Sequence, residues 1–424
     1  MTVLIGYQAG MIDISGRRAL SALPAFAALS ALAVAACAPA AAPGRLASAE
    51  VPASAEAEDA DFVTASGKPL SVRQIDAFVE RQMRDLDMPG LTVAVFDDGE
   101  IVYEDARGLA NTATGRPVED GSVFEAASMS KTVFAYMVMR LADRGIIDLD
   151  RPLHEYLPME ELAHDPRYRE ITARMALSHR TGFPNWRWFD PAPESWGIQR
   201  GTMYMKADPG TYTYSGEGYA YLSEVVAKLT DTDMTTLDGV FQREVAEPLG
   251  MTQSSFIRTD YVAEHKVTGH FGREPSDEVW PRSYPDDTPL TFGAAGRLHT
   301  NAPEFARFLI ALMEGEGLSP EAHRDMFAKH TQVPLDSENH RITGETGWGL
   351  GIAIEPTPYG TRYEHGGNNG EFQSGYIIFP QRRMGFVFMT NSDRGQEFNA
   401  AIEQFLTTGA EALPSSAVAS QPDR

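Results

Sequence analysis

The sequence predicts a two-lobed α/β (α+β) fold. An antiparallel sheet flanked by helices is built from both ends of the chain, and a mostly helical lobe, roughly residues 150–290, comes from the middle. Three observations carry this. Two β-rich runs surround Asp98-Gly99 in GLTVAVFDDGEIVYEDARG, residues 90–108, and Asp-Gly between such runs is a strong hairpin signal because both turn positions accept positive φ. A second hairpin lies far downstream, where Gly375–Pro380 and Phe386–Thr390 flank the turn QRRMG. Between them run helical patterns and a stretch rich in Pro, aromatics and helix breaks. Hairpins at both ends of one chain, with helices between, point to a single sheet assembled from both termini.

Taken in order, the first 36 residues read as a signal peptide. Arg17 and Arg18 precede an Ala/Leu-rich run that ends at Val34-Ala35-Ala36, directly before Cys37. A basic start, a short apolar region and small residues before a cut mark export. The small pair before cysteine is similar to the bacterial lipobox, in which Cys37 would be lipidated; a plain signal with an incidental cysteine is the alternative. Pro24 and the alanine content disfavour a retained transmembrane helix. The twin arginines match a Tat signal only weakly, and Met1 and Met11 are both open as the start. The expected location is therefore periplasmic, with membrane anchoring through Cys37. Residues 37–65, rich in Ala, Pro and Glu, read as a disordered tether, 66–410 as the folded domain and 411–424 as a disordered tail. Cys37 is the single cysteine, so no disulfide supports the domain.

Within the domain, residues 70–86 read as an amphipathic helix and residues 395–408 as a closing one. A formal net charge of −23 repels phosphate backbones and argues against a nucleic-acid partner. The ten histidines show no ligand spacing, His154-Glu155 lacks the second histidine of a zincin, and no phosphate-binding loop or G-x-S-x-G elbow is present. Neither a metal nor a cofactor is expected.

The stretch EAASMSKTVFAYMVMRLADRG, residues 125–145, places Ser128 three residues before Lys131 at the mouth of a helix. Val133, Phe134, Met137, Val138 and Leu141 fall at helical spacing and Gly145 is the stop. At i and i+3 the two side chains share a face. The helix N-terminus favours a developing anion and helps keep the lysine neutral, and a neutral lysine can take the proton that a free serine cannot shed near pH 7. Two fixed residues are a weak motif. On these residues alone, an ordinary polar start to an amphipathic helix stays open.

Four further blocks follow in order: MALSHRTGFPNW (175–186), PGTYTYSGEGYAYLSEVVAKLT (209–230), AAGRLHTNAPEFARFLIALM (294–313) and YEHGGNNGEFQSGYIIFP (363–380). Together with 124–158 they resemble the serine β-lactamase and penicillin-binding protein superfamily, specifically its class C-like branch, which includes class VIII esterases. The likeness runs from about Val72 to Phe405. It implies a β-lactamase/transpeptidase-like fold, an acyl-enzyme on Ser128, Lys131 as its partner, and Tyr214 as a proton shuttle.

Two positions depart from the family pattern. Tyr-x-Asn here reads Tyr214-Ser215-Gly216, so the amide that meets a substrate's acyl side chain is missing at Gly216, a loss of about 1–3 kcal/mol when its partner stays unpaired. Lys-Thr-Gly reads His365-Gly366-Gly367. An ordinary imidazole is about one-quarter protonated at pH 7, a poor anchor for a substrate carboxylate; His365 could equally orient Tyr214 or fill the strand edge. The resemblance places the oxyanion donors at the N–H groups of Ser128 and Asn368, each worth about 2.7–4 kcal/mol to the transition state. The aromatic run FPNWRWF (183–189) reads either as packing or as the rim of an acyl pocket. Three readings follow. The first is a hydrolase acting on a small-molecule ester or amide. The second is a β-lactamase or D-alanyl-D-alanine carboxypeptidase-like protein acting on peptidoglycan-like substrates. The third is a non-catalytic binding protein of the cell envelope.

Overall fold

The computed structural model describes residues 61–411 apart from 278–279 and 282–283. The signal segment, Cys37 and the tail from 412 onward lie outside the described residues, as does most of the tether. The tether does not extend to 65, however. Phe62–Val63 pairs with Pro69–Leu70, and Phe62 and Ala65 are buried. One phenylalanine in an otherwise small and acidic stretch carries enough apolar area to hold it on the domain.

Helix α1 (Val72–Asp85) starts with a capping box between Ser71 and Gln74 and buries Ile75, Phe78, Val79 and Met83. The first hairpin pairs β1 (Gly90–Asp97) with β2 (Glu100–Asn111). Its turn sits on Asp98 at φ 48° and Gly99 at φ 79°, the two positive φ values that the Asp-Gly signal foretells. Next come β3 (Arg116–Pro117), α2 (Ser130–Asp143), α3 (Gly216–Leu229) and α4 (Ala302–Glu314). The chain then adds β4 (Thr331–Gln332), β5 (Gly347–Trp348), β6 (Ala353–Thr357), β7 (Gly360–Asn368), β8 (Gln373–Phe379), β9 (Met384–Thr390) and α5 (Gly395–Thr408).

These nine strands form one antiparallel sheet in the order β4-β5-β6-β7-β8-β9-β1-β2-β3. The two hairpins meet where β9 pairs with β1, from Gly385 opposite Phe96 to Thr390 opposite Leu91. Successive residues of a strand point to opposite faces, and β8 shows both layers. Gly375 faces Asn399 of α5, while Tyr376 packs on Phe305 of α4 and shares a 2.8 Å hydrogen bond with Thr132 of α2. On the α5 side, α1 joins through Phe78 stacked on Phe405, ring centroids 4.2 Å apart.

Helix α2 departs from the amphipathic pattern. Besides the five apolar positions at helical spacing, Thr132, Ala135, Tyr136 and Met139 are also buried, so the helix is enclosed on all sides. It runs through the core and ends where Gly145 takes φ 70°, as its stop signal predicts. Among the described residues, 150–290 hold no strand of the main sheet, and α3 is their only long helix. The others are short, Ala173–Leu177, Asp238–Phe241 and Asp260–His265, because Pro, Gly and aromatics interrupt the helical runs.

Candidate active site

Ser128 sits in a short helical turn, Ala127–Met129, that leads into α2. The preceding Ala127 has φ 46°, a left-handed conformation that costs a residue with a Cβ of order 1–3 kcal/mol. The surrounding bonds hold it there. Ser130 Oγ donates to Ala127 O at 2.6 Å and accepts from Leu298 N–H at 2.9 Å, and Ser374 Oγ donates to Ala126 O at 2.8 Å.

Lys131 is buried one turn along the same face. Its Nζ donates to Ser128 Oγ at 3.1 Å and to Ala295 O at 2.7 Å. Burial pushes its pKa down to about 7, so near neutral pH about half of the amine carries a lone pair. Tyr214, in the loop just before α3, brings its ring 5.0 Å from Lys131 Nζ. Burial raises the phenol, and a hydrogen bond with the Ser128 side chain works against it without overcoming it. The phenol therefore keeps its proton while the lysine readily exchanges one. The structure brings Ser128, Lys131 and Tyr214 together.

His365, on β7, is buried rather than presented to solvent. Its Nδ1 donates to Gly366 O at 2.7 Å, and its Nε2 has no hydrogen-bond partner among the described residues. Burial, reinforced by Lys131, pushes it down to about 3. The one-quarter charge expected of an ordinary imidazole is thus replaced by none: at pH 7 the ring is neutral. It packs edge-on against Trp348, centroids 5.2 Å apart, and against Tyr214 at 6.3 Å.

The two glycines that follow differ. A Cβ on Gly366 would meet open space, its nearest neighbour being Ser374 O at 4.0 Å. On Gly367 it would lie 2.5 Å from Ala126 O and 3.0 Å from Ala127 Cβ. A glycine at 367 therefore lets β7 run directly against the loop that carries Ser128, with Asn368 as the next residue. Gly216 is not an open contact position. It is buried at the start of α3, and a Cβ there would lie 2.4 Å from the Trp186 ring. The indole occupies the space that a side chain at 216 would need.

Residues outside the expected set complete the surroundings. His179, fully buried, brackets Tyr214. Its carbonyl accepts from Thr213 N–H at 2.8 Å and its Nδ1 from Ser215 N–H at 3.1 Å, while its ring lies 4.3 Å from that of Tyr214. Burial, then Lys131 and His365, holds it well below the usual histidine range. Its only sequence signal was its place in the block MALSHRTGFPNW. Trp348, against Tyr214, His179 and His365, had none.

The run FPNWRWF does both of its possible jobs. Phe183 is core. Trp186 packs on Gly216 and, with Trp188, Met234, Tyr284, Phe292 and Ala295, lines a cavity of about 480 Å³, which reaches the residue whose carbonyl holds Lys131. Buried Glu217 anchors this wall by accepting from Arg187 N–H at 2.8 Å, Arg187 Nη2 at 2.9 Å and Tyr284 O–H at 2.7 Å. Among the described residues no group of three or more His, Cys, Asp or Glu side chains is placed to hold a metal ion.

Residues 75–407 match the Beta-lactamase family. The chain belongs to that family. Penicillin-binding protein 4 of Amycolatopsis lactamdurans is 26% identical over 73% of this chain and 83% of its own. Esterase EstB of Burkholderia gladioli is 25% identical over 75% of this chain and 90% of its own. Among solved structures the fold is shared with EstCE1, a hydrolase with promiscuous acyltransferase activity, at TM-score 0.65 and 20% identity over 79% of this chain and 98% of that one. It is shared too with D-alanine carboxypeptidase AmpC from Burkholderia cenocepacia, at TM-score 0.62 and 20% identity over 78% and 97%. The β-lactamase/transpeptidase fold expected from the sequence is the one observed.

Proposed function

We propose that this serine hydrolase of the Beta-lactamase family works through an acyl-enzyme on Ser128 and prefers esters to β-lactams or peptide C-termini. Ser128 Oγ attacks the substrate carbonyl and passes its proton to the neutral fraction of Lys131, with which it shares a 3.1 Å contact. The N–H groups of Ser128 and Asn368 receive the charge on the carbonyl oxygen. As the alcohol leaves, it takes a proton from the Tyr214 phenol, which Lys131 restores. Water then enters, gives up a proton along the same path, and releases the acid.

The observation that carries the ester preference is His365. A carboxylate-bearing substrate needs a cation at that position, and a buried imidazole held at about 3 supplies none. Trp186 over Gly216 supports the same reading, because it replaces a polar amide with an apolar wall. The test is hydrolysis of p-nitrophenyl butyrate beside nitrocefin, with Ser128→Ala as control. Ester turnover that dominates and vanishes in the variant upholds the reading. Dominant nitrocefin turnover would move the function to cell-wall or antibiotic chemistry, in line with the relative named penicillin-binding protein 4.

We also propose export and lipid anchoring at Cys37, supported by Arg17-Arg18, the apolar run and Ala35-Ala36. The mass of the mature N-terminus, with or without diacylglycerol on Cys37, decides it.

A further inference from the structure

We propose that Glu125 and Asn369 are a positioning pair that sets the spacing of the two oxyanion donors by tying the nucleophile's loop to the end of β7. The inference rests on the acyl-enzyme reading above, in which those donors are the N–H groups of Ser128 and Asn368.

Each member of the pair is next to one donor. Glu125 precedes Ser128 by three residues, at the end of the short strand Phe124–Glu125 that pairs with His299–Thr300. Asn369 directly follows Asn368. Asn369 Nδ2 donates to Glu125 Oε2 at 2.7 Å across 244 residues of sequence, and also reaches Gly296 O at 3.3 Å. Its own N–H donates to Phe372 O at 2.9 Å, which closes the turn between β7 and β8. The amide is thus held on both its side-chain and its main-chain groups.

The carboxylate is equally committed. Glu125 is 3% exposed, and its Oε1 lies 2.8 Å from Lys266 Nζ, with His299 Nε2 at 4.0 Å on the same oxygen. Burial opposes ionisation, yet Lys266, His299 and the hydrogen bond from Asn369 hold the carboxyl below its usual range. An ionised acceptor makes the tie to Asn369 charge-assisted, shorter and stiffer than a neutral one. Near the site, Gly367 lies against Ala126 and the Ser374 hydroxyl donates to Ala126 O, which holds β7 and β8 to the loop. Those contacts act on β7 up to Gly367, and Glu125 reaches past Asn368 to the turn beyond it. Stabilisation of an oxyanion depends on donors held at about 2.7–3.1 Å from the developing charge. A clamp at this point therefore acts on the transition state and not on ground-state binding.

The experiment compares Asn369→Ala, Asn369→Gln and Ser128→Ala with the parent enzyme on p-nitrophenyl butyrate, measuring kcat and KM separately. Phosphonylation by a fluorophosphonate, which releases fluoride and builds a tetrahedral phosphorus centre on the serine, is followed in parallel. Removing a charge-assisted bond predicts a loss of about tenfold to a hundredfold in kcat for Asn369→Ala. KM should stay within twofold, and fluorophosphonate phosphonylation should fall by the same factor as kcat. Asn369→Gln, which keeps an amide, should recover part of both. If Asn369→Ala loses only thermal stability, or raises KM with kcat intact, the residue is structural and the inference is wrong. Should Asn369→Ala fail to fold, Asn369→Ser, too short to reach the Glu125 carboxylate, takes its place: a tenfold or larger loss of kcat and of fluorophosphonate reactivity in the folded variant upholds the positioning role, and parental values overturn it. Full activity in Ser128→Ala removes the acyl-enzyme reading itself, whereas an inactive Ser128→Ala beside an unimpaired Asn369→Ala removes only the positioning role.

Discussion

Lys131→Met should make the protein more stable as it makes it inactive, and the gain should depend on pH. The lysine is 1% exposed, and burial moves it from 10.5 to about 7. Between those values the unfolded chain holds a proton that the folded one has shed, so the stability of the parent rises as pH rises through the window and is lowered toward its acid end. At pH 7 the difference amounts to about 4 kcal/mol, and at pH 9 to about 2 kcal/mol. Methionine has a similar length and needs no desolvation, but it forfeits the bonds to Ser128 Oγ and Ala295 O, worth about 1 kcal/mol each. The net gain should be about 2 kcal/mol at pH 7 and close to zero at pH 9. Urea unfolding of both proteins at the two pH values measures it, read from the midpoint with an unchanged slope. A variant no more stable than the parent at pH 7, or a difference that does not vary with pH, would refute the claim that the buried amine is held in its neutral form at a cost to the fold.

The same ionisation predicts that kcat/KM for p-nitrophenyl butyrate rises with pH through a single midpoint near 7. It should fall about tenfold from pH 8 to pH 6, with no inflection near 6.5, because His365 titrates only near 3; a stopped-buffer pH series shows it. Gly216→Asn alone should cost about 1–3 kcal/mol of stability and most of the activity, since its Cβ would fall 2.4 Å from the Trp186 ring. Adding Trp186→Ala should restore folding, as read by thermal melting of the single and double variants. Glu217→Ala should destabilise by about 1–3 kcal/mol, because it strips the Arg187 guanidinium, 12% exposed, of its buried partner and leaves it the half-exposed Glu161. Urea denaturation measures that, and loss of turnover on bulky acyl esters should accompany it as the cavity wall loosens.

The parts of this structure that depend on neighbours in sequence were legible in advance. Asp98-Gly99 names its own turn, the helix from Val72 to Asp85 carries its cap and stripe, and Ser128 and Lys131 meet because one helical turn separates them. Tyr214 could be found through an ordered set of blocks. What could not be read is what distant residues do to a group's surroundings. The neutrality of His365 comes from burial beside Trp348 and Tyr214, residues 17 and 151 positions before it, and nothing in His-Gly-Gly discloses that. Gly216 looked like a missing amide, whereas its reason is an indole thirty residues upstream. The enclosure of α2 was concealed for the same reason: Thr132 and Tyr136 are polar-capable residues whose partners, Tyr376 and Glu316 O, lie 244 and 180 residues away. The end of the tether was misplaced because composition averages over a window and a single Phe62 does not alter the average.

The pairing of β9 with β1 joins residues 384–390 to 90–97, and it governs how the molecule comes into being. Contacts that far apart close slowly, because most of the chain must be ordered before they reward it. Until then β1, apolar along nearly its whole length, stands open to self-association. The strand bearing Asn368 arrives some 240 residues after Ser128 and Lys131, so a nascent or prematurely ended chain carries that pair without the strand that packs against its loop.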